Sequence, residues 1–389
     1  MHIGVDATCW HNQRGYGRHA RALFSHLLRL DAENRFDFLV DLTEGLEELP
    51  ENAHWRYVST KVASVRAARA EGSRSLADLW RMSTAFSASR YQLLIFPTVY
   101  TYVPVRTRAK KILFIHDVIP ETYPGMTLPN PRSRWLWQAK TRLAIRQADI
   151  LLTVSDYSRE GIARHFQIDS QKIGVVGEAP DVIFKPLHDS SIPPDLEALG
   201  VAGDRRLIVY VGGFGPHKNV HSMLQAVQEL LSDPAFSDVQ IVLVGENQAD
   251  AFYSEFATLN QFVEQHLAGQ AVFTGYLADD LLVRLLNCAR VLVLPSWMEG
   301  FGLPAIEAAA CGCPVIATRA SPLPEILGKS ALYITPGEVR ELVSHLKTVL
   351  SSQEISQCMR QGGIKAVQSM SWDSAALQLS QAIQKAVHR

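Results

Sequence analysis

Short apolar runs recur along the chain, and most end at a polar or turn residue before a stretch with helical spacing. Ile3 to Val5 is the first run and stops at Asp6. From Gly17 to Leu30 the apolar positions Ala20, Leu23, Phe24, Leu27 and Leu28 fall on one side of a helix. Phe36 to Val40, Leu93 to Phe96, Ile112 to Ile115 and Ile150 to Val154 read as further short strands, and Ser155 or Asp156 suits the cap of the helix after the last of them. Residues 186–206 interrupt the pattern with Pro186, Pro193, Pro194, Gly200 and Gly203 in a polar stretch, which reads as a linker. The pattern then restarts. Leu207 to Val211, Gln240 to Val244, Ala271 to Phe273, Val291 to Leu294 and Val315 to Ala317 are strand-like, and Ser222 to Leu231, Asp279 to Cys288 and Pro304 to Ala310 are helical. No short-period repeat is present.

Apolar strands alternating with helices predict mostly parallel sheets covered on both faces. The expectation is an α/β protein of two doubly wound Rossmann-like domains facing across a cleft, since such sheets bind ligands at the carboxyl ends of their strands. A length of 389 residues also exceeds what one core usually organises. The boundaries predicted are residues 1–187 for the first domain, 188–206 for the linker and 207–372 for the second domain.

Composition narrows the classes. Hydrophobic residues make up 47% and charged residues 20%, which excludes a disordered, collagenous or disulfide mini-protein chain. The first residues enter a strand pattern without a basic segment and an apolar run, so no signal peptide is expected, and no apolar stretch is long enough to span a bilayer. Cys9, Cys288, Cys311, Cys313 and Cys358 are odd in number and lack zinc-ligand spacing, so they read as small buried residues of a protein in a reducing cytoplasm. A net charge of −1 hides an asymmetry. Residues 1–187 carry 25 Lys and Arg against 19 Asp and Glu, and the rest carry 13 against 20. The basic half suits an anionic partner, although solvated faces alone produce the same balance.

The densest chemistry lies in Leu294-Pro-Ser-Trp-Met-Glu-Gly-Phe-Gly-Leu-Pro-Ala-Ile-Glu307. A strand ends at Leu294, a turn with Gly300 and Gly302 follows, and a helix opens near Pro304, where proline suits the first turn. Backbone N–H groups at such a start sit at the positive end of the helix dipole and form an anion site fit for a diphosphate. Glu299 and Glu307 flank the turn. Beside a phosphate a carboxylate is electrostatically poor, so both are read as acceptors for sugar or ribose hydroxyls. Taken singly, each also fits an ordinary helix-start or turn acid.

Three more segments contribute. Tyr210-Val-Gly-Gly213-Phe-Gly-Pro-His-Lys218-Asn219 is a strand leading into a Gly-rich loop, with Lys218 able to neutralise a phosphate. Gln13-Arg14-Gly15-Tyr-Gly17-Arg18 follows the first strand. Ile115-His116-Asp117-Val-Ile-Pro120 closes a buried strand, placing a His-Asp pair at the strand end. No Asp-x-Asp cluster, metal-ligand spacing or nucleic-acid motif appears, so neither a metal nor any other cofactor is expected, and nucleic acid is not an expected partner.

These segments resemble the retaining glycosyltransferases of family four, which have the GT-B fold. Glu299 and Glu307 match that family's E-x7-E signature around G-F-G-L-P, and Pro314-Val-Ile-Ala317 and Ser321-Pro-Leu-Pro-Glu325 are similar downstream. The resemblance implies that Glu299 approaches the donor sugar and that Glu307 holds the ribose hydroxyls. The N–H groups of Gly300, Phe301, Gly302 and Leu303 would then hold the diphosphate. It further implies that Gly213, Lys218 and Asn219 belong to the donor site, that Gly15 and Gly17 let the two domains close over the diphosphate, and that His116 meets the donor sugar. His116, Lys218 and Glu299 are thus the expected catalytic residues. One departure stands out: many members carry an arginine a few residues before the lysine, where this chain has Gly212, Gly213, Phe214 and Gly215.

Ala148 to Ser158 and Ser371-Trp372 extend the resemblance over nearly the whole chain. They imply that helix 373–389 crosses back onto the first domain. The Gly-Gly loop and His116 to Pro120 look like bacterial polysaccharide mannosyl- and rhamnosyltransferases. Their resemblance implies a nucleotide-sugar donor, with mannose or rhamnose on GDP as the guess, and a saccharide or lipid-linked saccharide acceptor in surface polysaccharide or lipopolysaccharide synthesis. Same-face substitution with retention follows at the family level. A nucleotide-sugar epimerase of the same fold and a non-catalytic nucleotide-sugar-binding protein are the alternatives.

Residues 41–90 match least. Lys61, Val62, Val65, Arg66, Arg69, Arg74, Leu76, Leu79, Trp80 and Arg81 interleave basic and apolar side chains, as do Arg132, Arg134, Trp135, Trp137, Lys140 and Arg142. Such interleaving suits peripheral contact with an anionic membrane at the inner face of the plasma membrane, against the plainer reading of amphipathic helices packed on a sheet.

Overall fold

The computed structural model describes residues 1–12, 15–64, 75–128, 130–189, 191–246 and 254–387. Gln13, Arg14, Val65, Arg66, Arg69, Arg74 and the last two residues of the 373–389 segment lie outside the described residues. The chain forms two compact units: Met1–Glu178 with Ser371–Arg389, and Ala179–Met370.

The first unit holds a seven-stranded sheet of β1 (His2–Asp6), β2 (Arg35–Val40), β3 (Ala53–Tyr57), β4 (Leu93–Phe96), β5 (Lys110–Phe114), β6 (Ile150–Thr153) and β7 (Ile173–Val175). The order is β3-β2-β1-β4-β5-β6-β7 and every pairing is parallel. Strands such as β4 and β6 are buried at every position, because helices cover both faces. The helix Gly15–Leu30 makes the crossover from β1 to β2, burying the five predicted apolar residues and also Gly17 and His19. Ser155 is the cap of the helix Asp156–Phe166: its side chain accepts from Ser158 N, and Asp156 takes the first turn. The helix Trp372–Val387 packs on Gly15–Leu30, with His26 Nδ1 2.6 Å from Asp373 Oδ1 and Gly177 N donating to Gln378 Oε1 at 3.0 Å.

The second unit repeats the plan with β8 (Arg206–Val211), β9 (Val239–Val244), β10 (Ala271–Gly275), β11 (Val291–Leu294), β12 (Val315–Thr318) and β13 (Ala331–Ile334). The order is β10-β9-β8-β11-β12-β13, again all parallel. The segment 188–206, expected to be a linker, is instead packed into this unit, which begins at Ala179. Leu196 and Val201 are buried, Asn287 accepts from Leu187 N at 2.8 Å, and Gln240 accepts from Ala202 N at 2.9 Å. Its prolines start the short helix Pro194–Ala198 rather than spacing two domains. No helix among the described residues is long and apolar enough to cross a membrane.

In each sheet the chain reverses its direction of travel once, between β1 and β4 and between β8 and β11. Loops leaving the carboxyl ends of those neighbours diverge and leave a crevice, which is where open α/β sheets bind ligands.

Candidate functional site

At the β8/β11 crevice the loops after β8, β11 and β12 are tied together. Asn219 adopts a left-handed conformation (φ 54°), donates from Nδ2 to Pro295 O at 3.0 Å, and receives the Ser222 hydroxyl at 2.7 Å. Trp297 N donates to His217 O at 2.9 Å, and Glu299 N donates to Ala320 O at 3.0 Å. These bonds bring Lys218 and Glu299 together: Nζ lies 2.8 Å from Oε1, and the Ser296 hydroxyl donates to the same oxygen at 2.6 Å. The pair is largely shielded, with side chains 22% and 11% exposed. A lysine ammonium has three donors, so holding Glu299 leaves geometry for a phosphate oxygen as well.

The helix Leu303–Ala310 opens directly behind Gly302. Two constraints make that position glycine. Its φ is +87°, and an added Cβ would stand 2.9 Å from Leu323 Cδ1. The turn from Gly300 to Leu303 therefore lies close to the helix start, where unsatisfied N–H groups favour an anion. Phe301 is buried and Glu307 is buried one turn inside this helix. Gly213 is buried, with its carbonyl accepting from the Tyr210 hydroxyl. His217 does not supply the charge of the missing arginine. Burial, and next the Lys218 charge, push its imidazole down to about 3, so it is neutral at ordinary pH.

The first unit has its own polar constellation at the β1/β4 crevice. Asp6 is fully buried at the end of β1, accepting from Thr8 N and its hydroxyl and from the Thr101 hydroxyl at 2.8 Å. Gly15 takes φ +37° at the helix start. A Cβ on Gly17 would fall 2.1 Å from Asn12 O, so packing of the helix start against the preceding loop by itself demands glycine there.

His116 follows β5. Its Nε2 lies 2.8 Å from Pro97 O, which fixes the proton on that nitrogen and leaves Nδ1 as the acceptor. Nδ1 is 3.9 Å from Glu178 Oε1, and the His19 ring meets the His116 ring edge-on at 4.7 Å. Burial pushes His116 down to about 4, partly opposed by the bond to Pro97. Asp117 accepts from Ile119 N at 2.8 Å, just before the short helix Ile119–Thr122. His19, His116 and Glu178 bring ligand atoms within 4.8 Å of one another, the one group with metal-ligand chemistry among the described residues.

Several residues here escaped sequence reasoning. Ser296, Ala320 and Pro295 act through bonds that no spacing announces. Glu121 stands out: it accepts from Trp137 Nε1 at 2.7 Å, and burial pushes its carboxyl up to about 7. His19 sits in an otherwise ordinary helical face, so its alignment with His116 is a tertiary fact.

Comparison with known proteins agrees on the class. Residues 192–366 match the family model described as Glycosyl transferases group 1, and residues 14–181 match Glycosyltransferase Family 4. The chain is 28% identical over 295 residues to O-antigen chain mannosyltransferase B of Escherichia coli, covering 76% of this chain and 75% of that one. It is 31% identical over 249 residues to the MMP alpha-(1->4)-mannosyltransferase of Mycolicibacterium hassiacum, where the match covers 63% of this chain and 56% of the relative. Its fold is similar to the sucrose-phosphate synthase of Thermosynechococcus elongatus, with a TM-score of 0.77, 18% identity, and 99% and 98% of the two chains covered.

Proposed function

Since the chain belongs to the group 1 glycosyltransferases of family 4 and has the GT-B fold, we propose that this hexosyltransferase moves mannose from GDP-mannose, with retention, onto a lipid-linked saccharide in surface polysaccharide synthesis. Mannose is preferred to rhamnose because both relatives above are named mannosyltransferases. The carrying observation is the Lys218–Glu299 pair at the β8/β11 crevice, beside a helix start held open by Gly302.

In this reading Lys218 and the N–H groups of Gly300 to Leu303 bind the diphosphate. They stabilise the charge that grows on it as the bond to the anomeric carbon breaks. Glu299 is already engaged by Lys218 and Ser296, which suits holding a sugar hydroxyl better than attacking a carbon. Glu307 takes the ribose hydroxyls, and Gly213 and Asn219 shape the loop. The acceptor oxygen attacks on the face the diphosphate leaves, and a diphosphate oxygen takes its proton, so no metal or protein nucleophile is required. His116, neutral and with Nδ1 as its acceptor, is assigned to a sugar hydroxyl. The reaction is placed on the cytoplasmic side of the membrane, where nucleotide sugars are made.

The test is a thermal-shift series with GDP- and UDP-sugars followed by transfer assays, because ligands that bind only the folded state raise its melting temperature. GDP-mannose should stabilise the protein most, and the product linkage should keep the donor's anomeric configuration. Stabilisation by UDP-sugars alone would overturn the donor assignment. Conversion of the nucleotide sugar without release of nucleotide would mark an epimerase. Binding with neither transfer nor hydrolysis would mark a non-catalytic protein.

A further inference from the structure

The helix Pro131–Gln147 carries Arg132, Arg134, Lys140, Arg142 and Arg146 and no acidic residue. Its contacts settle which side faces the protein. Trp137, Thr141 and Ala144 are buried. Lys140 Nζ donates to Tyr100 O at 3.1 Å and lies 4.4 Å over the Trp137 ring, and Arg134 Nε donates to Leu128 O at 2.9 Å. The other side carries Arg132, Trp135, Leu136, Arg142, Leu143 and Arg146, all exposed, with exposed Gln138 and Ala139 between the two groups. Spacings of three and four residues run from Arg132 to Trp135 and Leu136, through Ala139, to Arg142 and Leu143 and on to Arg146, which puts them in a single stripe along the helix. Trp135 is 67% exposed, Leu136 50% and Leu143 38%.

A helix face turned to water ordinarily carries mixed charges and few large apolar groups. This one alternates arginine with tryptophan and leucine and has no counter-charge of its own. Arginines reach lipid phosphates, a tryptophan ring settles at the headgroup level, and leucines enter the acyl boundary. A helix of this length extends about 25 Å at 1.5 Å per residue, so the whole stripe meets a plane only when the helix lies parallel to it. Leucine between the arginines favours lipid over nucleic acid, whose backbone offers no apolar layer.

We propose that this face docks the first unit on an anionic lipid surface, with Arg132, Arg142 and Arg146 on lipid phosphates and Trp135, Leu136 and Leu143 in the headgroup–acyl boundary. It deepens the proposed function and rests on that reading for its purpose, since a lipid-linked acceptor is held at such a surface.

The full chain is sedimented with vesicles of phosphatidylcholine alone or mixed with phosphatidylglycerol. It should bind the anionic vesicles, less so as salt rises. Each arginine contributes about fivefold to partitioning, so R132A/R142A/R146A should bind about a hundredfold more weakly. W135S/L136S/L143S, with the charge unchanged, should also lose binding, which separates insertion from attraction alone. All substituted side chains are exposed, and an unaltered melting temperature checks that both variants are folded. No binding to anionic vesicles, equal binding to neutral ones, or either variant binding like the parent would overturn the proposal. Vesicle binding without stabilisation by GDP-mannose would leave the docking face standing and remove the donor assignment instead.

Discussion

Lys218→Met separates the catalytic reading of the Lys218–Glu299 pair from a purely structural one. The substitution keeps the apolar stem and removes the ammonium that stands 2.8 Å from Glu299 Oε1. At an effective dielectric constant of about 20 the gross Coulomb attraction at this distance is about 6 kcal/mol. Desolvating two charges with side chains 22% and 11% exposed offsets most of that. The Ser296 hydroxyl remains on Glu299 at 2.6 Å. The net loss of stability should therefore be about 1–3 kcal/mol, the range for hydrogen bonds to charged groups. For a unit of this size that lowers Tm by about 4–8 °C at the middle of the range.

Catalysis should suffer more than stability. Losing one preorganised positive group at the leaving diphosphate is expected to lower kcat by about 10² to 10³. Release of GDP from GDP-mannose, with saturating donor and lipid-linked acceptor extracted from membranes, measures it well below the new Tm. Lys218→Arg should fall between, because a planar guanidinium keeps the charge but not the geometry. If Lys218→Met lowers Tm as expected yet turns over within threefold of the parent, the pair is structural and the assignment of Lys218 is wrong.

Gly302→Ala should destabilise by about 1–3 kcal/mol, from a left-handed backbone with a side chain and from the Cβ placed 2.9 Å from Leu323 Cδ1. It should also weaken GDP binding in calorimetry, and unchanged Tm and affinity would contradict the anion-turn geometry. Acidification should destabilise the fold between about pH 6.5 and pH 4. His116 and His217 are pushed down to about 4 and about 3, and His19 is lowered well below its usual value, all by burial first. The unfolded chain therefore takes up their protons at higher pH than the folded one, and stability is lost as pH falls through that window. Glu121, pushed up to about 7, and Glu255, also raised by burial, have the opposite sign, but among the described residues they stand against four lowered histidines, His165 being the fourth. Melting curves across this range should show a shallower slope for His116→Gln, and an identical slope would exclude its contribution. Transfer should survive excess EDTA, and a metal-dependent rate would redirect attention to His19, His116 and Glu178.

Much of this protein was determined by the sequence alone. Parallel α/β architecture is legible because buried parallel strands must be apolar throughout, as in β4, β6 and β11, and their crossover helices must be apolar on one face. The Glu299–Glu307 segment is legible because a strand–glycine turn–helix is a local structure, with conformational demands written in neighbouring residues. β3 was missed, since its mixed basic and apolar residues follow no clean period, and the helix Leu76–Phe86 matches only the plainer reading of an amphipathic helix there, without bounds.

The tertiary structure decided what local pattern cannot carry. It joined Lys218 to Glu299 across 81 positions of chain, drew the prolines of 188–206 into the second unit, and gave Asp117 to a turn and His116 to Pro97 O. It also sorted the basic helix Pro131–Gln147 into a packed side and an exposed one. Each of these depends on groups distant in sequence meeting at a definite distance and burial. Strand order fixes those meetings, and short-range periodicity does not encode strand order.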